Sequence, residues 1–421
     1  MLATVVLAAG KGTRMQSELP KVLHPLLGAP ILEHVLDNAT KLDAQQVVVV
    51  VGYARQKVEA AFARRKITWA VQEKQLGTAH AAHCGVQEIS VDDPEGCEVL
   101  VLNGDLPLLR ETTLRRLLEA HRQARAAVSI LTCEMEDATG YGRIIRNRSG
   151  DVENIVEERD ADEATRAVRE GNVGVYVFQH SAFTELYSRI GTDNAQGELY
   201  LTDVVVQAVA EGLRVVTSSV EDASEVAQVN SRRELAEASA ILRGRLIDAY
   251  LEAGVTIDDP RTTYIEAGVV IGRDTRILPF THIERGVEIG RGCEVGPFAR
   301  LRAGTRLEEG ASIGNFVELK NSHVGSKTKI RHLADVGDGE IGSGVNIGAG
   351  TIFANYDGKA KHKTIVKDEA FIGSGSVLVA PVTIGRKATT GAGAVVLRNR
   401  DVPDGQVVVG VPARAIPKKE A

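Results

Sequence analysis

An aliphatic residue falls at every sixth position, without interruption, between residues 265 and 313. These positions are Ile265, Ile271, Ile277, Ile283, Ile289, Val295, Leu301, Leu307 and Ile313. After one-residue slips the register resumes with Val324, Ile330, Val336, Ile341 and Ile347, and a later run comprises Val366, Ile372, Leu378 and Ile384. A six-residue repeat is typical of a solenoid. We predict that each hexapeptide forms one short strand and a turn, that three form a triangular coil, and that the aliphatic side chains point inward.

Two features of this half indicate how the coils are used. The chain contains 42 glycines, which suit the tight corners of such coils. A polar segment, residues 355–363, interrupts the repeat. Insertions of this kind loop out from one face of a solenoid, commonly the working face. We therefore expect a functional loop here, and self-association through the flat sides of the coils.

The first 230 or so residues follow a different pattern, in which short β-rich runs alternate with helical segments. We predict strands at 4–7, 46–51, 99–102, 128–131 and 173–178, and helices that include 31–41 and 112–123. This alternation indicates an α/β domain with a mostly parallel sheet, helices on both faces and a site at the carboxyl ends of the strands.

A helix is predicted between the two halves. Ser231 and Glu234 have the spacing of a capping box, helical apolar spacing follows, and Gly254 ends the run. We interpret 231–251 as a linker helix, although the pattern alone equally allows a last helix of the first domain. The predicted domains are thus 1–230, the linker 231–251, and 252–421.

Bulk composition excludes several classes of protein. A net charge of −6 argues against a general nucleic-acid or membrane-surface binder. The four cysteines, Cys84, Cys97, Cys133 and Cys293, are far apart, which favours free thiols over disulfides or a zinc site. The apolar run 2–9 resembles a buried strand more than a signal peptide. These observations favour the cytoplasm.

A glycine loop follows the first predicted strand. Its sequence is Leu7-Ala8-Ala9-Gly10-Lys11-Gly12-Thr13-Arg14-Met15, with Pro20-Lys21 close behind. The spacing is neither that of a P-loop nor that of a dinucleotide fingerprint. Such a loop can wrap its N–H groups around a phosphate, and Arg14 and Lys21 can neutralise charge.

Other polar residues fall where strands and turns end. The polar turn from Gln72 to Thr78 is suited to binding the edge of a base. Asp105 directly follows an apolar strand, a position typical of a Mg²⁺ ligand but also of a residue that only caps the strand. The segment 140–143, Glu157 and Asn172 offer polar groups for a sugar, although each alone is more often a turn or cap residue.

Together these motifs resemble the sugar-phosphate nucleotidyltransferases, in particular the N-acetylglucosamine-1-phosphate uridylyltransferase branch. That resemblance implies a Rossmann-like domain that uses UTP and Mg²⁺. The implied nucleotide-binding residues are Leu7, Ala8, Ala9, Gly10, Lys21, Gln72, Gly77 and Thr78. Arg14 and Lys21 would act on the phosphates, and Asp105 and Asn230 would bind the metal. Gly142, Glu157, Asn172 and Asn230 would contact the sugar phosphate.

The second half resembles the acetyltransferase part of the bifunctional members of this family, through 296–302, 314–320, His332, 344–350 and 355–358. The resemblance implies a left-handed parallel β-helix of hexapeptide repeats that uses acetyl-CoA, and a homotrimer with acetyl-CoA sites between subunits. His332 would be the general base, because imidazole titrates near neutral pH. Arg302, Lys320 and Lys361 would bind the phosphate of glucosamine-1-phosphate and Asn346 its sugar, while Ala349, Tyr356, Ser374 and Ala392 would line the acetyl-CoA groove.

Two positions depart from the family pattern. Asp335 stands where a tyrosine that contacts the sugar phosphate is usual, and a carboxylate there repels a phosphate. Gly410 stands in the closing segment where an arginine is typical. Both departures concern acceptor choice and coenzyme A affinity.

Three functions remain open from the sequence. The first is the bifunctional enzyme, which would supply precursors for a bacterial cell envelope. The second is a pyrophosphorylase whose β-helix is structural or acts on another acyl acceptor. The third is a non-catalytic sensor, which would be expected to lose Asp105 or Arg14. Retention of His332 and the cations around it favours the first. UTP itself is implied by the resemblance, since the residues alone also permit another pyrimidine nucleotide.

Overall fold

The computed structural model describes residues 1–416, so the last five residues of the predicted C-terminal domain lie outside the described part. The chain divides into two compact units, Met1–Ser239 and a second that begins at Ala240. The division falls inside a 21-residue helix, Arg232–Glu252. Between residues 1 and 416 no helix combines the length and the apolar character needed to cross a membrane.

The first unit is built on a twisted mixed sheet. Its strands are β1 Leu2–Leu7, β2 Pro25–Leu26, β3 Ala29–Pro30, β4 Gln46–Val51, β5 Thr68–Val71, β6 Glu98–Asn103, β7 Val128–Glu134, β8 Gly142–Arg146, β9 Val152–Val156, β10 Glu170–Gln179 and β11 Val215–Ser219. The main order is β11-β7-β10-β6-β1-β4-β5, and β2 pairs only with β3. Neighbours on this path are parallel, except that β10 runs antiparallel to both β6 and β7. The strand order reverses at β1, where open α/β sheets form their binding crevice.

Helices cover both faces of this sheet. They are α1 Ile31–Lys41, α2 Arg55–Ala61, α3 Thr78–Gln87, α4 Glu111–Ala124, α5 Glu163–Arg166, α6 His180–Tyr187 and α7 Leu201–Ala210. Alternate residues of a strand point to opposite faces. Accordingly Leu2 and Val6 of β1 join one buried core cluster, whereas Ala3 and Val5 join the other. Two apolar layers therefore hold β1 and the loop that follows it.

The long helix α8, Arg232–Glu252, begins with only half of the predicted capping box. The Ser231 Oγ accepts the N–H of Glu234 at 3.3 Å, as expected. The Glu234 carboxylate instead accepts the N–H of Asn230 at 2.6 Å. The helix ends where the Val255 N–H donates to the Tyr250 carbonyl and Gly254 adopts a φ of 85°, a conformation that favours glycine. The cap thus fixes the backbone of Asn230.

The second unit is a parallel β-helix. Its strands are β12 Thr256–Ile257, β13 Tyr264–Ile265, β14 Val270–Ile271, β15 Arg276–Ile277, β16 His282–Ile283, β17 Glu288–Ile289, β18 Glu294–Val295, β19 Arg300–Leu301, β20 Arg306–Leu307, β21 Ser312–Asn315, β22 Glu318–Lys320, β23 His323–Val324, β24 Lys329–His332, β25 Asp335–Gly337, β26 Gly339–Ile341, β27 Asn346–Ile347, β28 Ile352–Ala354, β29 Thr364–Val366, β30 Phe371–Ile372, β31 Val377–Val379, β32 Val382–Ile384, β33 Thr389–Thr390, β34 Val395–Val396, β35 Val407–Val409 and β36 Arg414–Ala415. Every third strand pairs in parallel, which gives three sheets headed by β12, β13 and β14. At the end of the described part of the chain, β35 and β36 form an antiparallel hairpin.

The repeated aliphatic residues fill the interior of these coils. Ile265 pairs with Ile283, and Ile283 with Leu301, so equivalent positions stack coil upon coil. The predicted inward residues are almost completely buried, and Ile271 alone among them is only partly buried. Burying each such side chain contributes roughly 1.5–3 kcal/mol. The repeated aliphatic residues therefore give the β-helix a stable core although its strands are short.

Candidate active sites

The first candidate site is a cavity of about 340 Å³ at the carboxyl ends of β1 and β6. These two strands are adjacent and parallel, and Leu7 lies opposite Asn103 in the register. All eight residues predicted to hold the nucleotide line this cavity: Leu7, Ala8, Ala9, Gly10, Lys21, Gln72, Gly77 and Thr78. Asp105 lines it as well. The sheet topology therefore gathers motifs that lie far apart in the sequence.

A lysine links the two residues predicted to bind metal. The Lys21 ammonium lies 2.6 Å from Asp105 Oδ2 and 2.8 Å from Asn230 Oδ1. The carboxylate and amide oxygens thus face one cationic position, and oxygen ligands are those that Mg²⁺ prefers. No group of three or more His, Cys, Asp and Glu side chains suited to a metal occurs within residues 1–416. These residues fit a hard cation whose remaining ligands come from water and phosphate.

Arg14 lies in a neighbouring cavity rather than in the one just described. It belongs to a short 3₁₀ turn, Thr13–Met15, and shares a cavity of about 430 Å³ with Tyr141, Asn230 and Glu234. Asn230 connects the two, because its side chain also contacts Lys21. Arg14 therefore does not line the cavity that contains the eight residues predicted to hold the nucleotide.

A smaller cavity of about 150 Å³ adjoins the first cavity and is lined by Gly142, Glu157 and Asn172, but not by Asn230. Thr202 Oγ1 donates to Glu157 at 3.1 Å, and burial raises the pKa of Glu157. Asn172 donates to the Tyr176 hydroxyl at 2.6 Å, while its amide oxygen accepts the N–H of Gly174. Its side chain is therefore held in one orientation beside the cavity.

Several residues that line these cavities were not predicted as site residues. They are Gln75, Asn103, Tyr176, Glu198, Thr202 and Gln228. Gln75 connects the turn from Gln72 to Thr78 with the glycine loop, because its side-chain amide donates to the Ala9 carbonyl at 2.8 Å. Gln75 and Asn103 lie inside motifs that the sequence shows. Glu198 and Gln228 come from loops without a motif, and only the folded chain reveals them.

The second candidate site contains a cluster of cations on the β-helix. Contact with Lys361 and the nearby charge of Arg302 lower the pKa of Lys320. Arg302 also donates to Glu318 at 2.9 Å. The positive neighbours of Lys320 disfavour its charged form, which favours an anionic ligand beside it, whereas Arg302 already has Glu318 as a partner.

The inserted loop that carries Lys361 is folded on itself. Asp357 Oδ1 accepts the N–H groups of Lys359 and Ala360 at 3.0 and 2.8 Å, and Oδ2 lies 2.7 Å from His362 Nε2. The N–H of Ala360, then His362, hold the pKa of Asp357 well below its usual range. The loop is thus anchored on both sides of Lys361, whereas Tyr356 projects with 61% of its surface exposed.

His332 lies at a corner of the β-helix with one ring nitrogen engaged. Its Nδ1 is 2.7 Å from Oδ1 of Asn315, the residue opposite it in the preceding coil. An amide oxygen only accepts, so a neutral His332 carries its proton on Nδ1 and leaves a lone pair on Nε2. That tautomer is the one a general base requires.

Three of the four residues predicted to line the acetyl-CoA groove, Ala349, Ser374 and Ala392, continue this corner, whereas Tyr356 lies in the inserted loop. Backbone hydrogen bonds link the successive coils here. The Gly350 N–H donates to the His332 carbonyl at 3.3 Å, and the Gly375 N–H donates to the Ala349 carbonyl at 2.7 Å. The N–H of Gly393, which follows Ala392, donates to the Ser374 carbonyl at 2.8 Å. Asn346 lies on the sheet before this corner, opposite Lys329 and Phe371. Arg302 and Lys320 lie at the ends of strands of the sheet after it, so Asn346 and these two cations belong to different sheets.

The two departures from the family pattern also have defined places. Asp335 faces outward on β25, opposite Glu318, on the sheet between His332 and the cations. Burial and Glu318 raise the pKa of Asp335, and Arg302 opposes them. Gly410 follows β35 with a φ of 91°, which an arginine adopts only at a cost. Local backbone geometry accounts for the glycine.

Comparisons with known proteins identify the family of both units. Residues 4–196 match the MobA-like NTP transferase domain, and residues 268–303 match the bacterial transferase hexapeptide with six repeats. The chain is 44% identical to the Bifunctional protein GlmU of Brevibacillus brevis, over 96% of this chain and 94% of that protein. It is 43% identical to that of Syntrophotalea carbinolica, over 96% and 93%. For Bordetella petrii the identity is 45%, over 97% and 96%.

These matches confirm the fold predicted from the sequence, a Rossmann-like nucleotidyltransferase domain followed by a left-handed parallel β-helix of hexapeptide repeats. They also confirm that the chain is a bifunctional transferase. The similarity covers almost the whole length of each relative and therefore includes both halves of this chain. The chain belongs to the family of bifunctional GlmU proteins.

Proposed function

We propose that this chain transfers uridylyl from UTP to N-acetylglucosamine-1-phosphate and acetyl from acetyl-CoA to glucosamine-1-phosphate. The observation that carries the proposal is that one chain holds two separate anion sites, each beside the group its reaction needs. Lys21, Asp105 and Asn230 converge in the first. His332, with a free Nε2, lies one sheet away from Lys320 and Lys361 in the second. We assign them to 1–230 and 252–421, joined by 231–251.

In the first reaction, an oxygen of the sugar phosphate attacks the α-phosphorus of UTP, and the bond to pyrophosphate breaks. The acceptor is itself the nucleophile, so no covalent enzyme intermediate is needed. Lys21 exchanges its carboxylate partner for phosphate oxygens, and Arg14 neutralises the departing pyrophosphate. Asp105 and Asn230 would hold Mg²⁺, which supplies charge neutralisation on the phosphates. Gly142, Glu157 and Asn172 bind the sugar.

In the second reaction, the amine of glucosamine-1-phosphate attacks the thioester carbonyl of acetyl-CoA. His332 Nε2 takes the proton that the amine loses, and the coenzyme A thiolate leaves and is protonated. Asn315 holds the imidazole in the required tautomer through Nδ1. Arg302, Lys320 and Lys361 bind the phosphate, and Asn346 the sugar. Ala349, Tyr356, Ser374 and Ala392 line the coenzyme A groove.

One observation favours a second candidate, a uridylyltransferase whose β-helix uses another acyl acceptor. The Asp335 carboxylate lies on the face that a sugar phosphate would cross between His332 and the cations. An acceptor without a phosphate would meet less repulsion there.

Self-association is part of the proposal. Phe280, Phe298 and Phe316 form an exposed ladder along one corner of the β-helix, with ring centroids 4.8 and 5.2 Å apart. Their exposed fractions are 54%, 45% and 55%, and exposed apolar patches of this kind mark interaction surfaces. We propose a homotrimer with acetyl-CoA sites between subunits, acting in the cytoplasm on cell-envelope precursors. Sedimentation of the purified protein tests the assembly.

Two assays on one preparation test the reactions. Thiol release from acetyl-CoA with glucosamine-1-phosphate measures acetyl transfer, and pyrophosphate release from UTP with N-acetylglucosamine-1-phosphate, with and without Mg²⁺, measures uridylyl transfer. We expect both activities, and pyrophosphate release only with Mg²⁺. Pyrophosphate release without any thiol release would replace the proposal by the second candidate.

A further inference from the structure

The amide nitrogen of Gln72 is held by two protein groups at the nucleotide cavity, the Gly77 carbonyl and His80. Its side chain lines that cavity and the residue is 5% exposed. The amide nitrogen lies 3.0 Å from the Gly77 carbonyl oxygen and 3.1 Å from His80 Nδ1. An amide nitrogen has two N–H donors. Both are directed at protein groups, so neither is left for a ligand.

The Gly77 carbonyl is a fixed acceptor. Gly77 has a φ of 119°, and a Cβ at this position would come within 2.4 Å of the Leu199 carbonyl oxygen. The neighbouring backbone is tied to the same residue, because Leu199 donates to Leu76 at 2.7 Å and accepts from Ala79 at 2.9 Å. A carbonyl oxygen cannot donate, so it favours the nitrogen side of the Gln72 amide over the oxygen side.

His80 supplies the second acceptor through a defined tautomer. It lies in α3, and its Nε2 is 3.8 Å from the sulfur of Cys84, one turn further along that helix. Burial raises the pKa of the Cys84 thiol, which is therefore uncharged near neutral pH. A neutral imidazole that accepts at Nδ1 carries its proton on Nε2 and donates toward this sulfur.

The amide oxygen is what remains for the cavity. No group within residues 1–416 donates a hydrogen bond to Gln72 Oε1 in the structure. An acceptor at a fixed position selects a base that presents an N–H there. Uracil presents N3–H, whereas N3 of cytosine is an acceptor and would oppose the amide oxygen, lone pair against lone pair.

We propose that His80 is a positioning residue that fixes the Gln72 amide and thereby selects a uracil over a cytosine nucleotide. The inference rests on the proposed nucleotidyl transfer and adds to it the physical origin of the base choice. Loss of the His80 acceptor leaves one amide N–H unpaired and makes turnover of the amide less costly, because the Gly77 carbonyl alone then favours the present orientation. In the turned orientation the amide nitrogen can donate to N3 of cytosine.

Three variants test this role. His80→Leu removes the acceptor, His80→Asn places an amide oxygen near the position of Nδ1, and His83→Leu is the matched control. His83 lies on the same helix but stacks on Tyr187, with ring centroids 3.9 Å apart. For each protein, kcat/KM is measured with UTP and with CTP, together with the melting temperature.

We expect wild type to prefer UTP by at least about a hundredfold, since a site that pairs with a base hydrogen rejects a base that lacks it. His80→Leu should reduce that preference about tenfold or more, the value of one hydrogen bond. His80→Asn should stay within about threefold of wild type, and His83→Leu should not change the ratio. Should His80→Leu fail to fold, His80→Ala removes the same acceptor and gives the same comparison.

The failures are distinguishable. An unchanged UTP preference in folded His80→Leu would overturn the positioning role and leave uridylyl transfer standing. Equal use of UTP and CTP by wild type would overturn the assignment of the amide oxygen to the cavity. Absence of transfer with either nucleotide would overturn the proposed function. Calorimetric binding of UTP and CTP to wild type and His80→Leu would then still decide the role of His80.

Discussion

The two units assemble their sites in opposite ways. The first unit collects Gly10, Gln72, Asp105 and Asn230 from loops that lie far apart in the chain and meet at one edge of a sheet. The second unit takes His332 and its neighbours from equivalent positions of successive coils. A sheet site therefore depends on topology, which no local spacing encodes, whereas a solenoid site follows from the register of its repeat.

The two sites also differ in exposure. Gln72 and Asn172 are 5% and 7% exposed in the first site. His332 is exposed in the second, and the loop residue Tyr356 is 61% exposed. Substitutions in the first unit are accordingly expected to disturb hydrogen bonds that are protected from water. In the second unit they should remove single groups and leave the coil intact.

The largest difference between the effects of one substitution on the two activities is expected from His332→Ala. Loss of the general base should lower kcat for acetyl transfer by about 10²–10⁴ and leave uridylyl transfer unchanged. Thiol release and pyrophosphate release, measured on the same preparation, give the two values. His323→Ala is the control, because His323 lies between Glu308 and Glu340 on another sheet. Equal losses in the two variants would contradict the assigned base.

The opposite effect, loss of uridylyl transfer without loss of acetyl transfer, is expected from Asp105→Asn. Without the carboxylate, the Mg²⁺ site and the partner of Lys21 are both weakened, and kcat for uridylyl transfer should fall by about 10²–10³. Acetyl transfer should be unaffected. Asp92→Asn changes an exposed carboxylate elsewhere in the unit and should alter neither rate. A variant of Asp105 that keeps its Mg²⁺ dependence and rate would remove Asp105 from the metal site.

A smaller effect, confined to substrate binding, is expected from Lys361→Ala. Removal of one phosphate contact should raise KM for glucosamine-1-phosphate about tenfold with little change in kcat. Lys363→Ala is the matched control, since Lys363 belongs to the same inserted segment but pairs with Glu340 at 3.5 Å. If both substitutions raise KM alike, the loop contributes general charge and not a specific contact.

The smallest effect is expected from Asp335→Asn, with a defined dependence on pH. Removing the carboxylate should lower KM for glucosamine-1-phosphate about threefold at pH 8, because repulsion of the phosphate is relieved. The pKa of Asp335 is raised, so acid protonates it early and wild type approaches the variant as pH falls. KM ratios at several pH values measure this. A KM that rises in the variant would show that Asp335 assists binding.

The contrast between the units also explains what the sequence could predict. The repeat identified the inward residues of the β-helix, because each coil repeats one environment; Ile271 is the exception and is only partly buried. The bounds of α1 and β4 agree with their predicted ranges because their apolar spacing is uninterrupted. The antiparallel direction of β10 was not predicted, since the sequence of a strand does not specify the direction of its neighbours.

Site geometry was predictable only where a motif or the repeat determines it. The glycine loop and Asp105 were recognised by their place after strands. The position of Lys21 between Asp105 and Asn230, and the cavity that Arg14 shares with Tyr141, depend on convergence of distant segments. The hydrogen bond between Asn315 and His332 was accessible in principle, because the coil register places them opposite one another.

The most direct test of two independent sites in one chain is a complementation assay. The protein is given glucosamine-1-phosphate, acetyl-CoA, UTP and Mg²⁺, and UDP-N-acetylglucosamine is measured. Wild type should form the product. His332→Ala and Asp105→Asn should each form it at least about a hundredfold more slowly, and a mixture of the two variants should recover the rate, because each retains the activity that the other lacks. A mixture as slow as the single variants, or a single variant that forms the product at the wild-type rate, would contradict the account.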